Sequence, residues 1–219
     1  MGIIDLVSTQ DQEDSKNRKK TGVVIGIVTA NNDPEHLAQV KIRFPWLSDD
    51  NETGWVRVST FMAGVERGGF FLPEVEDQVL VAFEHGDMKR PIVIGALWNR
   101  EDKPPESNSD GKNNIKKIKS RSGHEIIFDD SDGKEKVEVH TKAGHRILLD
   151  DSTGSAKIAI KDKTENNFIE IDSEQNSLKI SSLMDLSIKA QNIQIESTAM
   201  MNIKSGATMN INGALVKIN

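Results

Sequence analysis

Three of the five histidines are the residues of this sequence best suited to metal binding. His124, His140 and His145 lie in a stretch of alternating apolar and polar residues. Imidazole nitrogens bind transition metals, but a metal site needs several ligands that converge. The three spacings fit no helical or zinc-knuckle motif. We therefore expect ordinary strand or surface histidines and no bound metal, unless three copies of one histidine meet on a symmetry axis.

Two acidic stretches have the composition of calcium loops. Asp129 begins Asp-Asp-Ser-Asp-Gly, and Asp150 begins Asp-Asp-Ser-Thr-Gly. The EF-hand spacing fails because its first ligand position is Phe128. Since Asp, Ser and Gly are also the residues that tight turns need, we interpret both stretches as turns.

Phosphate binding and catalysis have no supporting context. Gly64, Gly68 and Gly69 are not followed by Gly-Lys-Ser/Thr or by a helical pattern, so they are interpreted as loop glycines. No Ser/His/Asp arrangement or carboxylate pair has the surroundings of an active site. The sequence thus predicts a protein that is not an enzyme and has no cofactor.

Composition excludes further classes. There is no Cys, the formal net charge is -6 and the pI is about 5.4. Disulfides, zinc–thiolate sites and cysteine nucleophiles are excluded, and no global basic field indicates nucleic acid. A small basic cluster is interpreted as a solvated neck, with nucleic-acid contact as the alternative: Lys116, Lys117, Lys119 and Arg121.

Apolar segments are short throughout. No apolar run approaches the ~18 residues that span a membrane, and the N-terminus lacks the basic region of a signal peptide. We therefore expect a chain made in the cytoplasm without a signal peptide. Residues 1–20 are expected to form a flexible arm.

The aromatic residues divide the chain. Eight of the ten precede residue 100, and only Phe128 and Phe168 follow it. Short β-patterned segments separated by Gly and Pro turns fill residues 21–99 and predict a small all-β barrel, with the OB fold as first choice. The predicted strands are Val23–Val28, Val40–Phe44, Trp55–Val58, Val79–Phe83 and Pro91–Trp98.

A polar linker or neck, residues 100–121, precedes a region of repeats. Ser122–Gly133 recurs as Ala143–Gly154 at an offset of 21 residues, and Asn167–Asp172 is a weaker third copy. Each copy has the pattern strand, polar turn, strand. Residues 122–176 are therefore predicted to be a β-repeat region.

From residue 177 to 219 the period shortens. Pairs of the form apolar–x–apolar recur every seven or eight residues. Eight extended residues span about 26 Å, too short for one chain to circle a filled core, so each chain supplies one wall of a three-sided prism. We predict an intertwined homotrimeric triple-stranded β-helix. Its core residues are Leu178, Ile180, Leu186, Ile188, Ile193, Ile195, Met201, Ile203, Met209, Ile211, Val216 and Ile218.

The N-terminal block resembles the OB domain of spike proteins from contractile injection systems. Those proteins are phage baseplate assembly protein V and the valine–glycine repeat protein (VgrG) of type VI secretion. The repeats and the Met-Asn-Ile-Asn-Gly-Ala-Leu-Val-Lys-Ile-Asn ending are similar to the β-helical part of the same proteins. The OB resemblance rests on Val40–Leu47, Gly54–Val58, Arg67–Val75, Asp77–Asp87 and Ile94–Asn99.

This resemblance implies a structural, trimeric spike of a phage tail-like baseplate. It implies a hub protein on the N-terminal side, a PAAR-repeat protein on the C-terminal tip, an optional effector cargo, and contact with a membrane only on puncture by sheath contraction. The particle would be a virion or an extracellular assembly, released on firing or lysis. The residues implied at the tip are Gly213, Ala214, Leu215, Val216, Lys217, Ile218 and Asn219.

The sequence departs from the family in two respects. The large hub domain that precedes the OB domain of the type VI protein is missing, which implies a separate hub. No His lies in the last 74 residues, so the iron-binding apex of some short phage spikes is not expected.

Two alternatives come from other classes. An OB fold often stacks single-stranded nucleic acid on aromatic rings, so the chain could be a single-strand-binding protein with a β-rich oligomerisation tail. The second alternative is a trimeric enzyme or receptor-binding fibre with a site in residues 122–172. Against the first, the chain is acidic, and its rings are assigned to the OB core or the hub contact: Phe44, Trp46, Trp55, Phe70, Phe71, Phe83 and Trp98.

Overall fold

The computed structural model describes residues 22–47 and 51–218. The chain divides into two compact units, Met1–Ser107 and Asn108–Asn219. The predicted arm, residues 1–20, and the last tip residue, Asn219, lie outside the described residues. Both units are built from β-strands, so the predicted all-β class is confirmed.

The first unit is a five-stranded barrel with one added hairpin. Its sheet has the order β2-β1-β6-β7-β3, and only the β3–β7 pair is parallel. Two hydrogen bonds between Val40 and Val56 (3.0 and 2.8 Å) join the two edges of the sheet. The strands are β1 Val23–Ala30, β2 Lys41–Arg43, β3 Arg57–Val58, β4 Ala63–Gly64, β5 Arg67–Gly68, β6 Gln78–Phe83 and β7 Pro91–Ala96.

β-branched residues fill this barrel. Along β6 the side chains alternate, so Val79, Val81 and Phe83 point inward, as strands with one buried face require. The OB fold predicted from the turn-punctuated strands is confirmed. The buried core comprises Val28, Val40, Ile42, Phe44, Val56, Val79, Val81, Phe83 and Val93.

The second unit contains a seven-stranded antiparallel meander whose strands lie in chain order. Each strand has five residues, a length of about 17 Å. The strands are β8 Ile115–Lys119, β9 Glu125–Asp129, β10 Lys136–His140, β11 Arg146–Asp150, β12 Lys157–Lys161, β13 Phe168–Asp172 and β14 Ser177–Ser181.

The sheet begins earlier than the sequence predicted. β8 lies inside the expected linker of residues 100–121 and pairs with β9 along its whole length. Its sequence, Ile-Lys-Lys-Ile-Lys, is too basic to indicate a strand by itself. Glu125 of β9 binds Lys117 (3.0 Å) and Lys119 (2.8 Å), so the partner strand supplies the charge that makes the pairing favourable.

After β14 the chain continues through residues 182–218 without a helix or strand, with regularly spaced bends, and none of these described residues joins a sheet. No helix in the described part of the chain is long and apolar enough to cross a membrane.

Candidate assembly interface

One face of the seven-stranded sheet is apolar from edge to edge. In an antiparallel sheet, opposed residues point to the same side, and the register places fourteen residues in two parallel rows, thirteen of them apolar. The first row is Ile118, Ile126, Val139, Ile147, Ile160, Ile169 and Ile180. The second row is Lys116, Phe128, Val137, Leu149, Ile158, Ile171 and Leu178.

The second unit leaves this apolar face largely uncovered. Twelve of the thirteen apolar side chains are exposed by 38–62%, and Val137 is half-buried. A groove of about 550 Å³ lies along one end of the rows, lined in part by Ile147, Ile160 and Leu186. A continuous apolar surface across seven strands, about 30 Å, marks an interaction site rather than scattered surface residues.

The opposite face is mostly polar, although Ile115, Ile127 and Phe168 also lie on it. Its central row contains Glu138 and Glu170. Leu148 and Ala159 lie in the same row between them and are only 6% and 1% exposed. This face therefore needs no partner, and the sheet has one side for water and one for another surface.

Glu125 is the most strongly perturbed charge of this polar face. Hydrogen bonds from Lys119 and then Lys117 lower its pKa to about 2, against the opposing effect of burial. His140 Nε2 lies 3.4 Å from the same carboxylate. These groups hold β8, β9 and β10 in register.

Bends and apolar pairs alternate after β14. Bends fall at 183–184, 191, 198–199, 206–207 and 214. Four of the predicted apolar pairs lie between successive bends, and the pair Val216 and Ile218 follows the last bend. At three bends a serine hydroxyl donates to the carbonyl oxygen three residues on: Ser182 to Asp185 (2.8 Å), Ser197 to Met200 (2.8 Å) and Ser205 to Thr208 (3.1 Å).

All ten predicted core residues on these segments are exposed, from 44% at Met209 to 89% at Ile218. The backbone of these segments makes no sheet hydrogen bonds within the described chain. Extended segments with such an apolar pattern form stable structure when other strands pair with them.

Comparison with known proteins shows what the first unit is similar to. Residues 24–98 match the family described as type VI secretion system/phage-baseplate injector OB domain. The chain is 30% identical over 132 residues to the type VI secretion system spike protein VgrG1a of Pseudomonas aeruginosa (55% of this chain, 20% of the relative). It is 32% identical over 130 residues to spike protein VgrG5 of the same organism (55% and 16%).

Residues 24–98 thus resemble an injector OB domain, and the chain is similar to VgrG spike proteins over about half of its length. A third relative, the actin cross-linking toxin VgrG1 of Vibrio cholerae serotype O1, is 34% identical over 114 residues (48% of this chain, 10% of the relative). The chain thus spans a fifth or less of the length of the curated relatives it matches.

The OB domain divides its seven singled-out aromatic residues between core and surface. Phe44 and Phe83 are buried, with ring centroids 5.8 Å apart. Trp55 is half-buried, and the Lys41 ammonium lies 5.5 Å from its ring centroid. The exposed members are Trp46 (43%), Phe70 (76%), Phe71 (67%) and Trp98 (70%).

The exposed phenylalanines belong to a hairpin that the sequence patterns missed. β4 and β5 have only two residues each. Gly68 has a φ of +147°, and a Cβ at this position would lie 2.5 Å from the Met62 carbonyl oxygen, so only glycine fits. The apolar side chains around this hairpin are exposed by 48–90%: Phe61, Met62, Val65, Phe70 and Phe71.

The histidine and aspartate clusters form turns and cross-strand contacts. His145 Nδ1 accepts the Lys163 N–H (3.2 Å). Asp129 and Asp150 each accept the N–H two residues on (3.0 Å). Within residues 22–47 and 51–218, no three His, Cys, Asp or Glu side chains come together as metal ligands.

The tip residues form the end of the last extended segments. Leu215, Val216 and Ile218 are exposed by 74%, 48% and 89%, and Gly213, Ala214 and Lys217 lie between or beside them. The strict alternation of the strands was the signal that could have identified the two apolar rows, since the 21-residue repeat already aligned β9 with β11.

Proposed function

We propose that this chain is the structural spike of a contractile injection machine and works as a homotrimer, without catalytic activity. The observation that carries the proposal is the apolar face of the seven-stranded sheet, followed by segments that repeat apolar pairs between bends. The similarity to VgrG spike proteins supports the same role.

Three copies satisfy these surfaces by simple geometry. Three sheets about 17 Å wide form the sides of a triangular prism with their apolar rows inside and their polar faces in water. Each large apolar side chain buried in this way contributes about 1.5–3 kcal/mol. The apolar pairs of residues 182–218 continue the same core with one wall from each chain.

Mechanical rigidity is the purpose of this arrangement. Chains that pair with one another along the whole spike cannot open locally without exposing the shared core. Force along the axis is therefore carried by the whole assembly, which suits a part driven through a target envelope by a contracting sheath.

Two further contacts complete the proposal. The exposed hairpin of the injector OB domain, with Phe70 and Phe71, is the hub contact, because apolar side chains of this number are costly to leave in water. The residues from Gly213 to Asn219 bind a PAAR-repeat tip protein, with Leu215 and Ile218 of three copies offering an apolar platform.

A deletion of residues 209–219 tests the tip contact. Trimerisation should persist because the sheet and the earlier apolar pairs remain, while capture of a purified PAAR-repeat protein should fall at least about tenfold. A Lys89→Glu chain, altered at an exposed residue of the other unit, should capture normally. Unchanged capture by the deleted chain would refute the tip assignment, and tight oligonucleotide binding with a steep salt dependence would favour the nucleic-acid alternative.

A further inference from the structure

The two ends of the strands in the seven-stranded sheet carry opposite charge. The turns 120–124, 141–145 and 162–167 lie along one end, here called the basic rim. The turns 130–135, 151–156 and 173–176 lie along the other end, here called the acidic rim. A meander of equal strands stacks the turns of each rim one above another.

On the basic rim, two lysines are exposed to solvent and both acidic side chains have partners within the same unit. Lys142 and Lys163 are exposed and make no ion pair with a described residue. Asp162 is engaged within its own turn by Thr164 Oγ1 (2.9 Å) and Asn167 Nδ2 (3.0 Å). Glu165 pairs with Arg146 (3.6 Å). The rim therefore presents positive charge.

On the acidic rim the pattern is reversed. Asp132, Asp151 and Glu174, one on each turn, are exposed and have no ion-pair partner among the described side chains. Asp130 is paired with Lys116 (2.6 Å). Lys134 is the single cation on these turns. The rim therefore presents negative charge.

Along the direction in which the strands stack, the lysines of the basic rim alternate in position with the acidic residues of the acidic rim. Lys142 lies between β10 and β11, one strand spacing of about 4.8 Å from the turns that hold Asp132 and Asp151. Lys163 lies between β12 and β13, one spacing from the turns of Asp151 and Glu174. In the proposed prism the threefold axis runs along the direction in which the strands stack. A rotation about this axis leaves the height of each residue unchanged, so each lysine of one copy lies at a height between two acidic residues of the next copy.

We propose that, at each corner of the trimer, the basic rim of one copy packs against the acidic rim of the next copy. This contact rests on the proposed trimer and adds which edge of one copy meets which edge of the next. Because the contact joins two different surfaces, it closes into a ring of copies that all face the same way.

Charge reversal tests the rim contact in the full-length chain. Lys142→Glu/Lys163→Glu makes both rims acidic, and Asp151→Lys/Glu174→Lys makes both basic. The chain with all four substitutions exchanges the two signs and restores opposite charge at every corner. Lys89→Glu/Lys103→Glu, exposed in the other unit, matches the charge change of the first variant.

The readout is the trimer fraction after refolding from denaturant at equal concentration, by native mass spectrometry. At low salt, each two-site rim variant should lose at least about threefold in trimer yield, and the fourfold variant should recover most of it. High salt should narrow the differences. Mixing the two rim variants should favour mixed trimers, because two of their three corners then carry opposite charges.

The outcomes separate the two proposals. A wild-type trimer whose rim variants behave like the Lys89→Glu/Lys103→Glu chain, or a fourfold variant no better than the two-site variants, would overturn the rim contact alone. A monomeric wild-type chain would overturn the proposed trimer itself.

Discussion

Glu125 shows how a single side chain can define a boundary of the fold. Its carboxylate, 9% exposed, faces Lys117 and Lys119 of the neighbouring strand and His140 on the other side. An unpaired carboxylate in this position would be costly. The pairing explains why β8 joins the sheet although its own sequence is mostly lysine.

The lowered pKa of Glu125 predicts a specific pH dependence. Because the folded pKa is about 2 and the ordinary value is 4.5, the carboxylate stabilises the fold above pH 4.5, and this contribution is lost as the pH falls toward 2. Glu125→Gln should therefore be less stable than wild type at pH 7, and the two stabilities should converge near pH 2.

Denaturant unfolding at fixed protein concentration, repeated from pH 7 to pH 2, checks this prediction. Glu101→Gln, at an exposed residue of the other unit without an ion pair to a described residue, is the matched control and should follow the wild-type curve. A Glu125→Gln curve parallel to wild type over this range would contradict the assigned ion pairs.

At the scale of elements, the alternation of apolar and polar residues was the pattern that predicted most of the strands. β6 and the strands with the 21-residue repeat were predictable because their apolar residues recur with period two and their turns contain Asp, Ser and Gly. The β4–β5 hairpin and β8 were not, because two-residue strands have no period and the charges of β8 are compensated only across the sheet.

Which aromatic rings are buried and which are exposed could not be predicted from the sequence either. Seven aromatic residues were assigned jointly to the OB core or the hub contact, and of these Phe44 and Phe83 are buried, while valines fill most of the barrel. Phe70 and Phe71 lie beside a hairpin whose path outside the barrel depends on Gly68, so their exposure follows from tertiary structure.

Adjacent residues of β14 allow a matched test of the apolar face. Ile180 belongs to the first apolar row and is 51% exposed, and Lys179 points to the polar face. In a trimer, Ile180→Asp places three carboxylates in the shared core and should cost more than about 2 kcal/mol per copy. Lys179→Asp removes only a partly exposed ion pair with Glu170 (4.0 Å) and should cost much less.

Sedimentation analysis and thermal melting of both variants provide the comparison. The expected result is a trimer for Lys179→Asp and dissociated or misassembled protein for Ile180→Asp. Equal behaviour of the two variants would mean that the apolar face is not an interface.

At the scale of the whole molecule, an OB domain with its own closed core is joined to a unit whose apolar surfaces are left for other chains. The OB domain follows the usual rule that one chain buries its own core. The second unit departs from it, since most of its large apolar residues lie on one sheet face and on the segments that follow β14. Association is therefore the central claim of the account.

The mass of the full-length protein in solution tests this claim most directly. Native mass spectrometry or light scattering over a wide range of concentrations should give three times the chain mass of 24.3 kDa, with slow dissociation. A well-folded species that keeps the mass of a single chain throughout that range, or any stable assembly that is not threefold, would contradict the account.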